Sequence, residues 1–202
     1  MVATIAPRPP LGLPPGSIRG ILALQITVIL WLLLLAPDDR NVQVPLNLYF
    51  LLSLVMMFFV AHGKSIARRD EPTPSPLWLP GGTLRFIILA GTGAVFAYIA
   101  YAHPDRLERL TPHADQLKNW KYYLSALAIG FVLGYGTRIL PFRNAWSFQA
   151  FQAWIAIIAM AIMFLEMVFQ VIVNISLTDR FDPVPWGTAV TGIVAFYFGS
   201  RS

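Results

Sequence analysis

Apolar residues fall along this chain in long runs, without the strict alternation of a half-buried strand or the one-sided stripe of a soluble helix. Runs near the twenty-residue length that crosses a bilayer core stand at 17–36, 44–62, 83–102, 121–140, 148–173 and 184–199. The last is the shortest. At about 1.5 Å per residue it does not cross a core of about 30 Å untilted, so a five-span reading stands beside the six-span one. The pattern predicts an all-α fold, a polytopic membrane bundle of six transmembrane helices built as three tandem antiparallel hairpins at 17–65, 83–140 and 141–202. A tail at 1–16 and a proline-rich linker at 66–82 complete the division, with Glu71–Pro80 read as extended chain.

The hairpins share a template. Leu13-Pro14-Pro15-Gly16-Ser17-Ile18-Arg19 returns 66 positions later as Leu79-Pro80-Gly81-Gly82-Thr83-Leu84-Arg85, and the same offset carries Asp39-Arg40 onto Asp105-Arg106. A third pair, Asp179-Arg180, falls in the third outer loop. Each hairpin closes on glycine with a small or basic pair: Gly63-Lys64-Ser65, Gly136-Thr137-Arg138 and Gly199-Ser200-Arg201. The proline-glycine entry breaks the incoming chain, and Ser17 or Thr83 is expected to cap the helix start with its hydroxyl. Arg19 and Arg85 are expected to snorkel to headgroups, and the closing glycines to form left-handed C-caps. The third hairpin departs from the template, because Arg143-Asn144-Ala145-Trp146-Ser147 lacks the proline-glycine start.

Pro15-Gly16-Ser17-Ile18-Arg19 at the start and Ala195-Phe196-Tyr197-Phe198-Gly199-Ser200-Arg201 at the end resemble the two ends of small two-span hairpins found in many uncharacterised bacterial membrane proteins. The resemblance is confined to these termini and their internal echoes. It implies a bacterial membrane origin and carries no named activity.

Composition agrees with lipid as the solvent: 56% of the 202 residues are hydrophobic and 12% charged, about half the charged share of an ordinary soluble domain. The net charge of +5 is a topology signal. Alternating sides places Arg8, Arg19, Lys64, Arg68, Arg69, Arg85, Arg138, Arg143 and Arg201 together, opposed by Asp70 and Glu71 alone, while the other side is balanced. The positive-inside rule then sets both termini in the cytoplasm of a bacterial inner membrane and leaves no case for nucleic acid. The first 16 residues hold five prolines and no apolar core, unlike a cleavable signal, so the first span reads as a retained anchor.

Small residues at four-residue spacing mark helix faces that can approach closely in lipid: Gly187, Thr191, Ala195 and Gly199 in the sixth span, Ala126, Gly130 and Gly134 in the fourth, Ala90 and Ala94 in the third. These serve packing within the bundle or, most of all at Gly130 and Gly134, assembly with a further subunit. The second span, rich in leucine, methionine and phenylalanine, reads as lipid-facing. Glu166 is the one acidic residue inside a span, at a cost of about 3 kcal/mol on insertion scales. With Gln170 and Asn174 it forms a polar stripe on the fifth helix. Either Glu166 pairs with Arg40, Arg106 or Arg180 from the loops, or the stripe lines a wet seam for a cation or proton. Gln25 lies at another depth and is expected to bond across to a different helix.

Cysteine is absent, so disulfides, thiolate metal sites and thiol nucleophiles are excluded. His62, His103 and His113 read as interfacial or loop residues, and no metal or other cofactor is expected. Leu107, Leu110, Leu117 and Trp120 suggest a loop resting on the membrane surface. The chain carries no phosphate loop, metalloprotease motif or nucleophile elbow. The reading is therefore a non-enzymatic integral membrane subunit or scaffold that assembles with itself or other membrane proteins, with a small ion or proton channel or transporter as the alternative.

Overall fold

The computed structural model describes residues 12–14, 16–37, 42–62, 76–80, 82–112, 114–140, 146–169 and 184–201, with backbone alone at 58–62, 76, 138, 146 and 201. Seven α-helices order these residues: α1 (Ser17–Leu35), α2 (Leu46–His62), α3 (Thr83–Ala102), the short α4 (Ala114–Lys118), α5 (Trp120–Gly136), α6 (Trp146–Val168) and α7 (Val184–Arg201). Three single-stretch 3₁₀ segments join them, and no strand occurs among the described residues. The fold is all-α. Three helices, Ser17–Leu35, Thr83–Ala102 and Ser147–Val168, are long and apolar enough to cross a membrane, and Leu46–Met57 is a shorter apolar stretch.

The repeated proline-glycine entry folds the same way twice. Gly16 (φ 84°) and Gly82 (φ 92°) take the left-handed conformation that a side chain disfavours, and Ser17 N and Thr83 N donate to Pro14 O and Pro80 O, both at 3.1 Å. The capping expectation fails at both sites, because neither helix start receives a side-chain cap. Glycine turns the chain so that Ser17 and Thr83 become the first helical residues rather than the flanking caps. The freed Ser17 hydroxyl, fully buried, accepts from Leu77 N at 2.8 Å. That bond ties down the 3₁₀ turn Pro76–Trp78, where Leu77 (φ 57°) and Trp78 (φ 55°) are both left-handed. The described part of the linker is therefore a tight, strained turn and not extended chain. The C-cap expectation fails similarly: Gly136 is right-handed (φ −59°) and Gly199 lies inside α7. Gly63 lies outside the described residues.

Helices α1, α2, α7 and α6 close a ring in which each packs on the next. Its interior is filled by Leu22, Ile26 and Leu34 of α1, Leu51 and Leu54 of α2, Ala156 and Ala159 of α6, and Val194 and Phe198 of α7, all at most 1% exposed. The second span is thus a core helix, with Met56 and Met57 on its outer side. Leucine in lipid does not discriminate between core and lipid faces, which is why the sequence reading missed it.

The other two long helices attach outside the ring, each to a different helix of it. Helix α3 leans on α1, where Gly91 makes room for the Trp31 indole and Trp31 Nε1 donates to Thr92 Oγ1 at 3.1 Å. Helix α5 lies along α7 and also touches α2. The helices assigned to the second hairpin thus have different neighbours. Contacts give the directions: Gly20 meets Leu84 and Trp31 meets Gly91, so α1 and α3 run parallel, while Tyr123 at Gly187 and Gly134 at Phe196 make α5 and α7 parallel. Gln25 Nε2 donates to Met160 O at 2.7 Å, and Leu33 of α1 shares a cavity wall with Glu166, so α1 and α6 are parallel too.

Residues 104–112, after α3, lie over the end of α1 and the start of α2. Val44 N donates to Arg109 O (3.3 Å) and Tyr49 OH to Leu110 O (2.8 Å). Leu107 and Leu110 pack onto the core, so only Leu117 and Trp120 of the four apolar residues expected at the membrane surface are strongly exposed. Arg109 reaches furthest inward. Its Nη1 donates to Leu33 O (3.2 Å), Leu34 O (3.3 Å) and Ala36 O (2.7 Å), and its Nη2 to Pro37 O (3.3 Å). A guanidinium thereby satisfies the carbonyls left over at the C-terminus of α1 and opposes the negative end of its dipole.

Candidate functional site: a buried polar pair and an open apolar groove

Helix α6 turns a stripe of small and polar residues into the ring: Gln152, Ala153, Ala156, Ala159 and Met163, all buried, then Glu166 at partial burial. Alanine at these steps lets neighbouring helices close in, and Glu166 arrives where α2 begins. Asn47 Nδ2 donates to Glu166 Oε1 at 2.9 Å, crossing the ring from α2 to α6. Asn47 is 4% exposed, its Oδ1 has no hydrogen-bond partner, and a Cβ on Gly187 would stand 3.2 Å from its Nδ2. Glycine at 187 leaves the asparagine and the Tyr123 ring unpressed at this point. A cavity of about 20 Å³ adjoins the pair, walled by Pro45, Leu48 and Leu51 on one side and Leu33, Met163 and Met167 on the other.

Of the predicted polar stripe only Glu166 lies among the described residues; Gln170 and Asn174 do not. Asn47 was missed, since one asparagine at a helix start reads as interfacial. Pro45 before it and the lone carboxylate on another span were the available signal. Arg19, Arg85 and Arg106 of the repeat motif are partly buried, and Arg40 and Arg180 lie outside the described residues.

The small-residue rows meet each other. A Cβ on Gly130 would collide with Gly192 O, one on Gly134 with Phe196 O, and one on Gly199 with Phe131 O. Backbones of α5 and α7 are therefore in direct contact, with Ala195 and Thr191 buried beside them and Thr191 Oγ1 bonded to Gly187 O at 2.7 Å. The inner sides of Gly130, Gly134, Gly187 and Gly199 meet other atoms of the same chain. One flank of this contact stays open. Between α5 and α6, over α7, runs an apolar groove of about 640 Å³ with Gly130, Gly192, Ala126 and Ala189 on its floor and Ile129 and Ile158 on its rims.

Outside the spans, Lys118 bonds Asp115 at 2.6 Å, and that carboxylate raises the ammonium pKa above its ordinary value. His103 stacks edge-on to Tyr98 at 5.7 Å, and His113 lies outside the described residues. No group of three or more metal-ligating side chains occurs among the described residues. No family model matches the chain, and neither a curated protein nor a solved structure does.

Proposed function

We propose that the chain is a non-enzymatic integral membrane subunit of a bacterial inner membrane, with six crossing helices and both termini cytoplasmic, which assembles by receiving a further transmembrane helix. The helix directions support six crossings: α1, α3 and α6 run one way and α5 and α7 the other. At about 26 Å, the 17 residues of α2 and of α5 span most of a hydrocarbon core, and slight thinning covers the rest.

The open groove between α5 and α6 carries the assembly reading. A floor of Gly130, Gly192, Ala126 and Ala189 offers the close backbone approach that drives helix association where lipid removes any hydrophobic force. The partner is a second copy or another membrane protein. An ion or proton route is the second reading, supported by the Asn47–Glu166 pair. It ranks behind, because the α6 face between Gln152 and Glu166 is buried alanine and methionine. Native mass spectrometry from nanodiscs tests the first reading. Wild type should give a dimer or a defined complex, and filling the groove by Ala189→Trp with Ile158→Trp should release the monomer without unfolding it. A lone wild-type monomer with bound lipid refutes it.

A further inference from the structure

The amide of Asn47 is half satisfied. Nδ2 donates to Glu166, while Oδ1 is buried with no partner. Exchanging the two amide atoms does not help, since oxygen would then face the carboxylate and the amino group would be stranded. A buried acceptor left this way costs about 1–3 kcal/mol. The cavity beside it, at about 20 Å³, has room for one water-sized occupant. Apart from Asn47 and Glu166, its wall is proline, aliphatic and thioether side chains from α1, α2 and α6. No side chain in that wall supplies a second donor.

We propose that Asn47 and Glu166 form a binding site for one small cation, a proton or an alkali-metal ion. An alkali ion takes oxygen ligands, and the amide oxygen and carboxylate are oxygens of the right kind. A proton added to the carboxylate makes it a donor to Asn47 Oδ1, which with the existing Nδ2 bond closes an acid–amide pair. Either occupant satisfies the stranded oxygen of Asn47. The site joins α2 to α6 across the ring, so its occupancy holds together helices that otherwise touch little. Among the described residues these charged groups stand on the elements around it. Arg109 reaches Leu33 O, on the cavity wall, from the crossing segment. On α5, Lys121 is exposed, over the Tyr122 ring at 5.4 Å, and the described charged residues of α1 and α7, Arg19 and Arg201, stand at their opposite ends.

The inference does not depend on what enters the α5–α6 groove, and its test uses the purified chain in nanodiscs. Melting temperature is followed against sodium chloride, with choline chloride at equal ionic strength, and separately against pH in sodium-free buffer. Glu166→Gln is the key variant, because its amide keeps an acceptor for Asn47 Nδ2 and brings a donor for Oδ1, imitating the occupied site. Wild type should gain about 5–10 °C at a hundredfold excess over Kd, and Glu166→Gln should be flat. A sodium response identifies an alkali ion. A pH response exceeding that of Glu166→Gln, with a carboxylic-acid carbonyl infrared band that the variant lacks, identifies a proton. Wild type and Glu166→Gln responding alike in both titrations, with no such band in wild type, overturns the proposal.

Discussion

Removing the Arg109 guanidinium should loosen the whole end of the bundle where α1 stops. The side chain makes four bonds to the carbonyls that end α1, and Leu33 and Leu34, which own two of them, are at most 1% exposed. Water does not readily replace the guanidinium at those two. Leaving a buried acceptor unsatisfied costs about 1–3 kcal/mol, and losing a cation from a partly buried helix C-terminus about 1 kcal/mol more. Arg109→Ala is therefore expected to lose about 3–4 kcal/mol, or about 6–16 °C of melting temperature for a chain of this size. Arg109→Lys keeps the charge without the planar fork and should lose about half as much. Differential scanning fluorimetry in a fixed detergent measures both, with reversible SDS titration as the free-energy check. An Arg109→Ala loss under about 0.5 kcal/mol, the scale of ordinary surface changes, refutes the reasoning.

Other expectations follow from single contacts. Gly134→Ala would press a methyl group into the backbone of Phe196 and Ser200, which cannot yield, and should cost about 1–3 kcal/mol in the same titration. Gly93→Ala, where nothing stands nearby, should be neutral or slightly stabilising. Ser17→Ala removes the tie to Leu77 rather than a cap, so limited proteolysis should speed up at 76–80 while α1 helicity by circular dichroism stays constant. Trp31→Phe loses the bond to Thr92 and should cost about 0.5–1.5 kcal/mol, with no added loss when Thr92→Val is combined with it.

Helix positions were the most legible part of the sequence, because run length and proline-glycine punctuation act locally. Expected starts at 17 and 83 match α1 and α3, and the glycines of α5 and α7 stand in close contact. Neighbour choice was not legible. In lipid both sides of a helix are apolar, so the leucines of α2 could not reveal a core position, nor could α3 and α5 reveal that they part company. The hydroxyl of Ser17 was assigned to the nearest orphan amides, although its partner lies sixty residues on. Asn47 escaped notice because its meaning depends on Glu166, 119 positions away.

The parallel contact of α5 with α7 has a consequence for biosynthesis. During translation α5 emerges well before α7, so its glycine face lacks the α7 surface while the intervening residues are made. A ribosome stalled near residue 183 would leave that face bare, open to chaperones or to strays. Quality control that watches for unmatched glycine surfaces would single out such nascent chains, and the eighteen residues of α7 act as the fastener that ends their exposure.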